Sequence, residues 1–145
     1  MELNYDKLKA GVAKKLRRAR TITLATCGEN GIAARTVCCN NDGLTLFFVT
    51  QKDSQKAKDI MANPNVALVV SERIRIDAVA ELFGHPSGKP DYLKKSLRKF
   101  PIYARIFPTT PDDMLVIIRP TKIRIFGRAE QVLDVIAERA YKDEK

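Results

Sequence analysis

Between Tyr5 and Arg18 the residues Leu8, Val12 and Leu16 recur every four positions, with lysines and arginines opposite. That period predicts an amphipathic helix with one face packed on the rest of the protein. From Thr21 the apolar pattern suits strands: Thr21–Cys27, Gly31–Cys39 and Gly43–Val49. Gly28-Glu29-Asn30-Gly31 and Asn40-Asn41-Asp42-Gly43 have turn chemistry, so the three strands should form a meander. Ser54 to Met61 reads as a short helix stopped by Asn63-Pro64. Asn65–Val70 is apolar on both faces, as expected of a central strand or one at a subunit interface. Ile74, Ile76, Ala78, Ala80 and Leu82 then alternate with Arg75, Asp77, Val79 and Glu81, which predicts a strand with one buried face.

Gly84 to Pro90 is loop-like, and Asp91 can cap a short helix through Lys99, halted by Pro101. Ile102–Phe107 reads as strand or extended loop. Met114–Ile118 and Lys122–Phe126 read as two strands broken by Pro120. The apolar spacing of Val132, Leu133, Ile136 and Ala140 predicts a closing helix over Ala129 to Tyr141. The sum is a mainly β chain, a small antiparallel β-barrel of six to seven strands with peripheral helices.

At 145 residues one domain is expected, and 45% hydrophobic content suits a globular core. The longest apolar run, Val66 to Val70, is strand-sized, and Met1 to Lys7 is polar. Neither a membrane span nor a signal segment is therefore expected, and a cytoplasmic location is. Net charge is +9 and pI about 9.6. Much of that charge lies in Lys7 to Arg20 and Lys89 to Lys99 without interleaved aromatics, so solvated helix faces are favoured over nucleic-acid binding. Cys27, Cys38 and Cys39 are too few and too crowded for a disulfide framework and are expected to be buried thiols. A redox role for Cys39 is the sharper reading. With His85 the one histidine, no metal site is expected.

Chemistry concentrates between Ala34 and Pro64. Arg35 shares a strand face with Ala33, Val37 and Cys39, where a cation must either face solvent or meet an anion. Thr50 closes the next strand, and Ser54-Gln55-Lys56 opens a helix whose free N–H groups favour anions. A phosphate suits that set. The plainer reading is a capped surface helix with a solvated lysine.

The ordered series Arg35-Thr36-Val37, Phe47-Phe48-Val49-Thr50, Ser54-Gln55-Lys56-Ala57 and Asn63-Pro64 resembles the flavin-binding split-barrel family of the pyridoxamine 5'-phosphate oxidase type. The likeness extends more weakly over Lys15 to Phe83. It implies a split barrel that binds flavin mononucleotide (FMN) in a cleft between the subunits of a homodimer. Arg35 and Lys56 would clamp the phosphate, with Thr50, Ser54 and Gln55 as further donors. The backbone of Thr36, Val37 and Cys38 would lie along the ring, and Val49 would border the site. Flavin supplies the redox chemistry, so no catalytic side chain is assigned. Two positions depart from the pattern: Gln55 stands where the family often has arginine, and Asn40 where it has lysine. The chain also has no tryptophan and lacks the Arg-Leu-His-type C-terminal signature, so vitamin B6 chemistry is not expected. An oxidoreductase with an unspecified substrate and electron donor is the leading expectation. The alternative is a carrier of flavin, haem or another planar anion.

Overall fold

The alternation along the chain becomes one antiparallel sheet curled around a core. A computed structural model describes residues 1–102 and 110–143. The elements are β1 (Glu2–Leu3), α1 (Tyr5–Arg18), β2 (Thr21–Gly28), β3 (Gly31–Cys38), β4 (Asn40–Asp42), β5 (Thr45–Gln51), α2 (Gln55–Ala62), β6 (Asn65–Val70), β7 (Ile74–Gly84), α3 (Pro90–Lys99), β8 (Asp113–Ile125), β9 (Glu130–Asp134) and β10 (Arg139–Asp143). Sheet order is β1-β10-β9-β8-β7-β6-β2-β3, with β5 also on β8 and β4 on β5. The thirteen-residue β8 pairs with β7 from Leu115 to Ile125. Its first half also carries β5 and its second half β9. Among the described residues β3 and β5 do not pair, so the curled sheet stays open.

The main core comes from inward positions such as Leu24, Leu68, Ile76, Val116, Ile118 and Ile123, with Val12 and Leu16 of α1 against it. On β7 the expected alternation is complete from Ile74 to Glu81. Leu115 to Ile118 of β8 are buried on both faces for two reasons. Val116 and Ile118 enter the main core. Leu115 and Ile117 join Phe47 in a smaller core under α3, where Tyr92 stacks on Phe47 with ring centroids 4.1 Å apart.

Several expectations fail instructively. The stretch 129–141 is a β9–β10 hairpin, not a helix. Leu133 faces Ala140 and Ile123 across the ladders, and Asp134 Oδ1 accepts from Ala137 N–H to close the turn. Ile136, expected on the buried face, is 77% exposed at the tip. The sheet offered β8 an open edge, and pairing with it outweighed the local helical spacing. Pro120 does not break β8. The register slips so that Asp77 faces Lys122 and Ala78 faces Pro120, which leaves Thr121 as a bulge whose hydroxyl donates to Asp77 O at 3.0 Å. A bulge is one of the few sheet positions that tolerates proline. Asn40 to Asp42 is strand β4 rather than turn, and the reversal falls at Gly43, whose φ is 61°. The described residues thus form ten strands, not six or seven. β6 buries Val66, Leu68 and Val70 but exposes Val69, so it is apolar on both faces and buried on one. Lys89, not Asp91, precedes α3, with Pro90 in its first turn. Of the expected segment Ile102–Phe107, residues 103–107 lie outside the described residues. Among the described residues no helix is long and apolar enough to cross a membrane.

Candidate functional site

Strand register aims Arg35. It faces Leu24 on β2, so its side chain turns to the inner side of the sheet, near the C-terminal end of β2 where α2 packs. Its Nη1 donates to Thr26 Oγ1 at 2.8 Å and to Leu24 O at 3.4 Å. Its Nη2 lies 3.6 Å from Asp59 Oδ2, a carboxylate that is 4% exposed. Thr26 in turn donates its hydroxyl to Asp59 Oδ2 at 2.7 Å. Gln55 Nε2 donates to the other oxygen, Oδ1, at 2.7 Å. The anion that Arg35 meets is therefore part of the protein. Hydrogen bonds from Thr26 and then Gln55, with the Arg35 charge, hold the Asp59 carboxyl below the usual range against the opposing effect of burial.

Ser54 begins α2 with extended backbone, and its Oγ accepts from Ala57 N–H at 3.3 Å. Thr50, at the end of β5, donates its hydroxyl to Ser54 Oγ at 3.2 Å. The N–H groups of Gln55 and Lys56 have no upstream helical carbonyl, as at every helix start. Burial pushes the Lys56 ammonium pKa down, and the Arg35 charge pushes it further. Two cations that repel each other beside a helix start suit a phosphate, because one dianion would relieve the repulsion and accept the free N–H bonds. The donor set fits FMN at that end of the molecule.

The structure thus gathers Arg35 and Gln55 around Asp59, leaves Lys56 in the first turn of α2 within reach of the Arg35 charge, and links Thr50 to Ser54. It does not bring Thr36 or Val49 into this cluster. Thr36 is exposed on the opposite face of β3 from Arg35, Val37 is buried in the core, Cys38 is half-buried, and Val49 is 39% exposed on β5. Asp59 and Thr26 were missed in the sequence. The signal was there: Thr26 has the inward parity of Ile22 and Leu24, and Asp59 lies on the apolar side of α2 between Ala57 and Ile60.

Of the cysteines only Cys39 is buried; Cys27 is exposed, contrary to expectation. Burial pushes the Cys39 thiol up to about 12, so it holds its proton at neutral pH and is a poor redox nucleophile. Asn40 is buried and donates to Ser96 Oγ at 3.3 Å, tying β4 to α3. His85 Nε2 lies 3.0 Å from Thr110 O and Nδ1 2.8 Å from Ser87 Oγ, a loop-fastening role. No metal-ligating cluster occurs among the described residues.

An open antiparallel split barrel with an arginine strand, a threonine-ended strand and a serine-capped helix defines a class of small β proteins rather than one activity. A family model described as pyridoxamine 5'-phosphate oxidase matches residues 8–127, and the chain belongs to that family. It is 27% identical over 135 residues to general stress protein 26 of Bacillus subtilis, covering 89% of this chain and 95% of that one. Among solved structures it is similar to general stress protein 26 of Bacillus anthracis, with TM-score 0.65, 23% identity, and coverage of 80% of this chain and 91% of that one. It is also similar to a pyridoxamine 5'-phosphate oxidase-related, FMN-binding protein of Nostoc punctiforme, with TM-score 0.69, 17% identity, and coverage of 97% and 95%. At these identities the structural matches establish the fold.

Proposed function

We propose that the chain is an FMN-binding flavoprotein that works as a homodimer and performs redox chemistry on a small-molecule substrate. The carrying observation is that Arg35, 3.6 Å from Asp59 of α2, and Lys56, in the first turn of that helix, bring two positive charges to α2. Those two side chains hold the phosphate, the Ser54 and Thr50 hydroxyls add donors, and the Thr36–Cys38 backbone runs along the ring. Gln55 reaches the phosphate only by leaving Asp59, which makes it the weakest member of the set. Flavin, when bound, accepts and returns hydride or single electrons. A homologue of the same fold that binds FMN supports the reading. So does the outer face of β2, β3, β6 and β7, where Ile32, Val69 and Val79 are exposed among small residues such as Ala34 and a second copy could cover them.

The test is titration of the protein with FMN and with riboflavin, which lacks the phosphate, read by flavin fluorescence. A hydrogen bond to a charged group contributes about 1.5–3 kcal/mol. Arg35→Ala and Lys56→Ala should therefore each weaken FMN about ten- to hundredfold and riboflavin far less. Equal losses for both ligands would remove the phosphate role. A red preparation with a Soret band would move the ligand to haem. Turnover of reduced nicotinamide with oxygen or a dye separates an enzyme from a carrier, and sedimentation tests the dimer.

A further inference from the structure

A second cation-rich place lies away from α2. α2 leads into the start of β6, whereas this place borders the turn that follows its end, about 20 Å along a six-residue strand. There an open cleft of about 400 Å³ is lined by Lys15 of α1, Arg73 of the β6–β7 turn, Arg128 of the β8–β9 turn and Lys142 of β10, with Ile125 and Phe126. No acidic residue lines it. Among the described residues none of the four cations forms an ion pair. Elsewhere on the same sheet arginines do have carboxylates: Arg124 faces Glu130 at 3.6 Å, and Arg119 reaches Glu81 at 2.6 Å. Four separate elements converge here, so the cluster is not one solvated helix face. Like charges gathered in a concavity raise the local concentration of anions.

The walls narrow the guest. Phe126 lines the cleft and is 42% exposed; the Arg75 guanidinium sits over one face of its ring, 5.7 Å from the centre, so a base would meet the rest of the ring. The volume falls in the range of small-molecule sites, ~300–1,000 Å³, more than a lone phosphate needs. We propose that this cleft, between α1 and the β8–β10 end of the sheet, binds a nucleoside di- or triphosphate, the phosphates on Arg73, Arg128, Lys15 and Lys142 and the base against Phe126. The site is separate from the flavin proposal and does not depend on it.

The experiment is calorimetric titration of the full chain, supplemented with FMN, with ADP, adenosine and pyrophosphate at low and at physiological salt. ADP should bind at least about tenfold tighter than adenosine and lose affinity as salt rises. Arg73→Ala and Arg128→Ala, both at exposed positions, should each weaken ADP about tenfold and leave FMN affinity unchanged. Phe126→Ala should weaken ADP but not pyrophosphate. Four results would overturn the proposal. One is no ADP binding at low salt. A second is pyrophosphate binding as tightly as ADP, which removes the nucleoside. A third is loss of ADP binding through Lys56→Ala rather than Arg128→Ala, which places the nucleotide in the candidate flavin site. The last is a single-stranded oligonucleotide binding tighter than ADP with the same dependence on Arg73 and Arg128, which makes the surface a nucleic-acid one.

Discussion

Gly28→Ala tests whether Asp59 is locked. A Cβ built on Gly28 would lie 2.1 Å from Asp59 Oδ1, 2.7 Å from its Cγ and 3.1 Å from its Cα. Gly28 is not among the residues with positive φ, so alanine brings no backbone strain there and the contact alone decides the outcome. Relief has two routes. Asp59 can rotate away, which breaks its 2.7 Å hydrogen bonds from Thr26 and Gln55. Alternatively α2 can lift from β2, the strand it packs on most. Overpacking of this kind costs about 1–3 kcal/mol. Removing glycine from the unfolded chain returns about 0.4–1 kcal/mol. At the middle of both ranges the clash wins by roughly 1 kcal/mol, with extremes of about 0 and 2.6 kcal/mol, before any broken hydrogen bond is counted. For a domain of this size that lowers Tm by about 2–8 °C. Gly11→Ala is the control, since nothing lies within 4 Å of its added Cβ and α1 is a helix. It should hold or raise Tm. Differential scanning calorimetry reads both variants, and flavin titration reads Arg35, whose partner has moved. FMN affinity should fall in Gly28→Ala while riboflavin affinity holds. A Gly28→Ala protein with the parent Tm and the parent FMN affinity would refute the locked carboxylate.

The other perturbations act on the same carboxylate and on the α3 side. The folded pKa of Asp59 is depressed, so its stabilisation is present above the ordinary carboxylate pKa of about 3.9 and is lost as pH falls through the lower folded value. Melting curves of the parent and Asp59→Asn should therefore be well separated at pH 7 and converge as pH falls below the ordinary carboxylate range; a gap of constant size would sink the argument. Phe47, fully buried and stacked on Tyr92, should cost about 3–5 kcal/mol when cut to alanine. Tyr92→Ala should mainly free α3 to proteolysis at Pro90–Lys99, and an unchanged cleavage pattern would show that the ring pair does not hold it.

The parts of the fold decided by one neighbour were readable. α1 runs from Tyr5 to Arg18 as its four-residue spacing requires, with Asn4 capping Lys7 N–H at 3.0 Å. β7 alternates because one face meets the core and the other meets solvent. The failures share a cause: the deciding partner lay far along the chain. Val132, Leu133 and Ala140 satisfy a helix stripe and a hairpin equally well, and only the open edge of β8 chooses between them. Pro120 looks like a terminator until the slip against Asp77 and Ala78 gives it a place where no N–H is needed. Asn40 looks like a turn residue until α3 supplies its partner, Ser96 Oγ; Asn41 does keep a turn bond, to Gly43 O at 2.8 Å, and adds a longer one to Ala13 O of α1.

The candidate site divides along the same line. Ser54, Gln55 and Lys56 announce a helix start within three residues, and that much is local. What Arg35 does is not local, because its partners lie 9 and 24 positions away on β2 and α2, at Thr26 and Asp59. A strand arginine on an inward face had two outcomes in the sequence, solvent or an anion, and the fold adds an internal one. Asp59 spends part of the positive charge before any ligand arrives, since it pairs with Arg35 and accepts from Gln55. It also fixes where the guanidinium sits, with Thr26 as the link between the two charged groups. Guanidinium has five N–H donors, and the contacts to Thr26, Leu24 and Asp59 do not use them all. The remaining donors, with the Lys56 ammonium and the first turn of α2, are what a phosphate has left to bind. On the proposed reading, phosphate affinity would be set by how far the internal carboxylate lets go, a quantity that no motif of contiguous residues can encode.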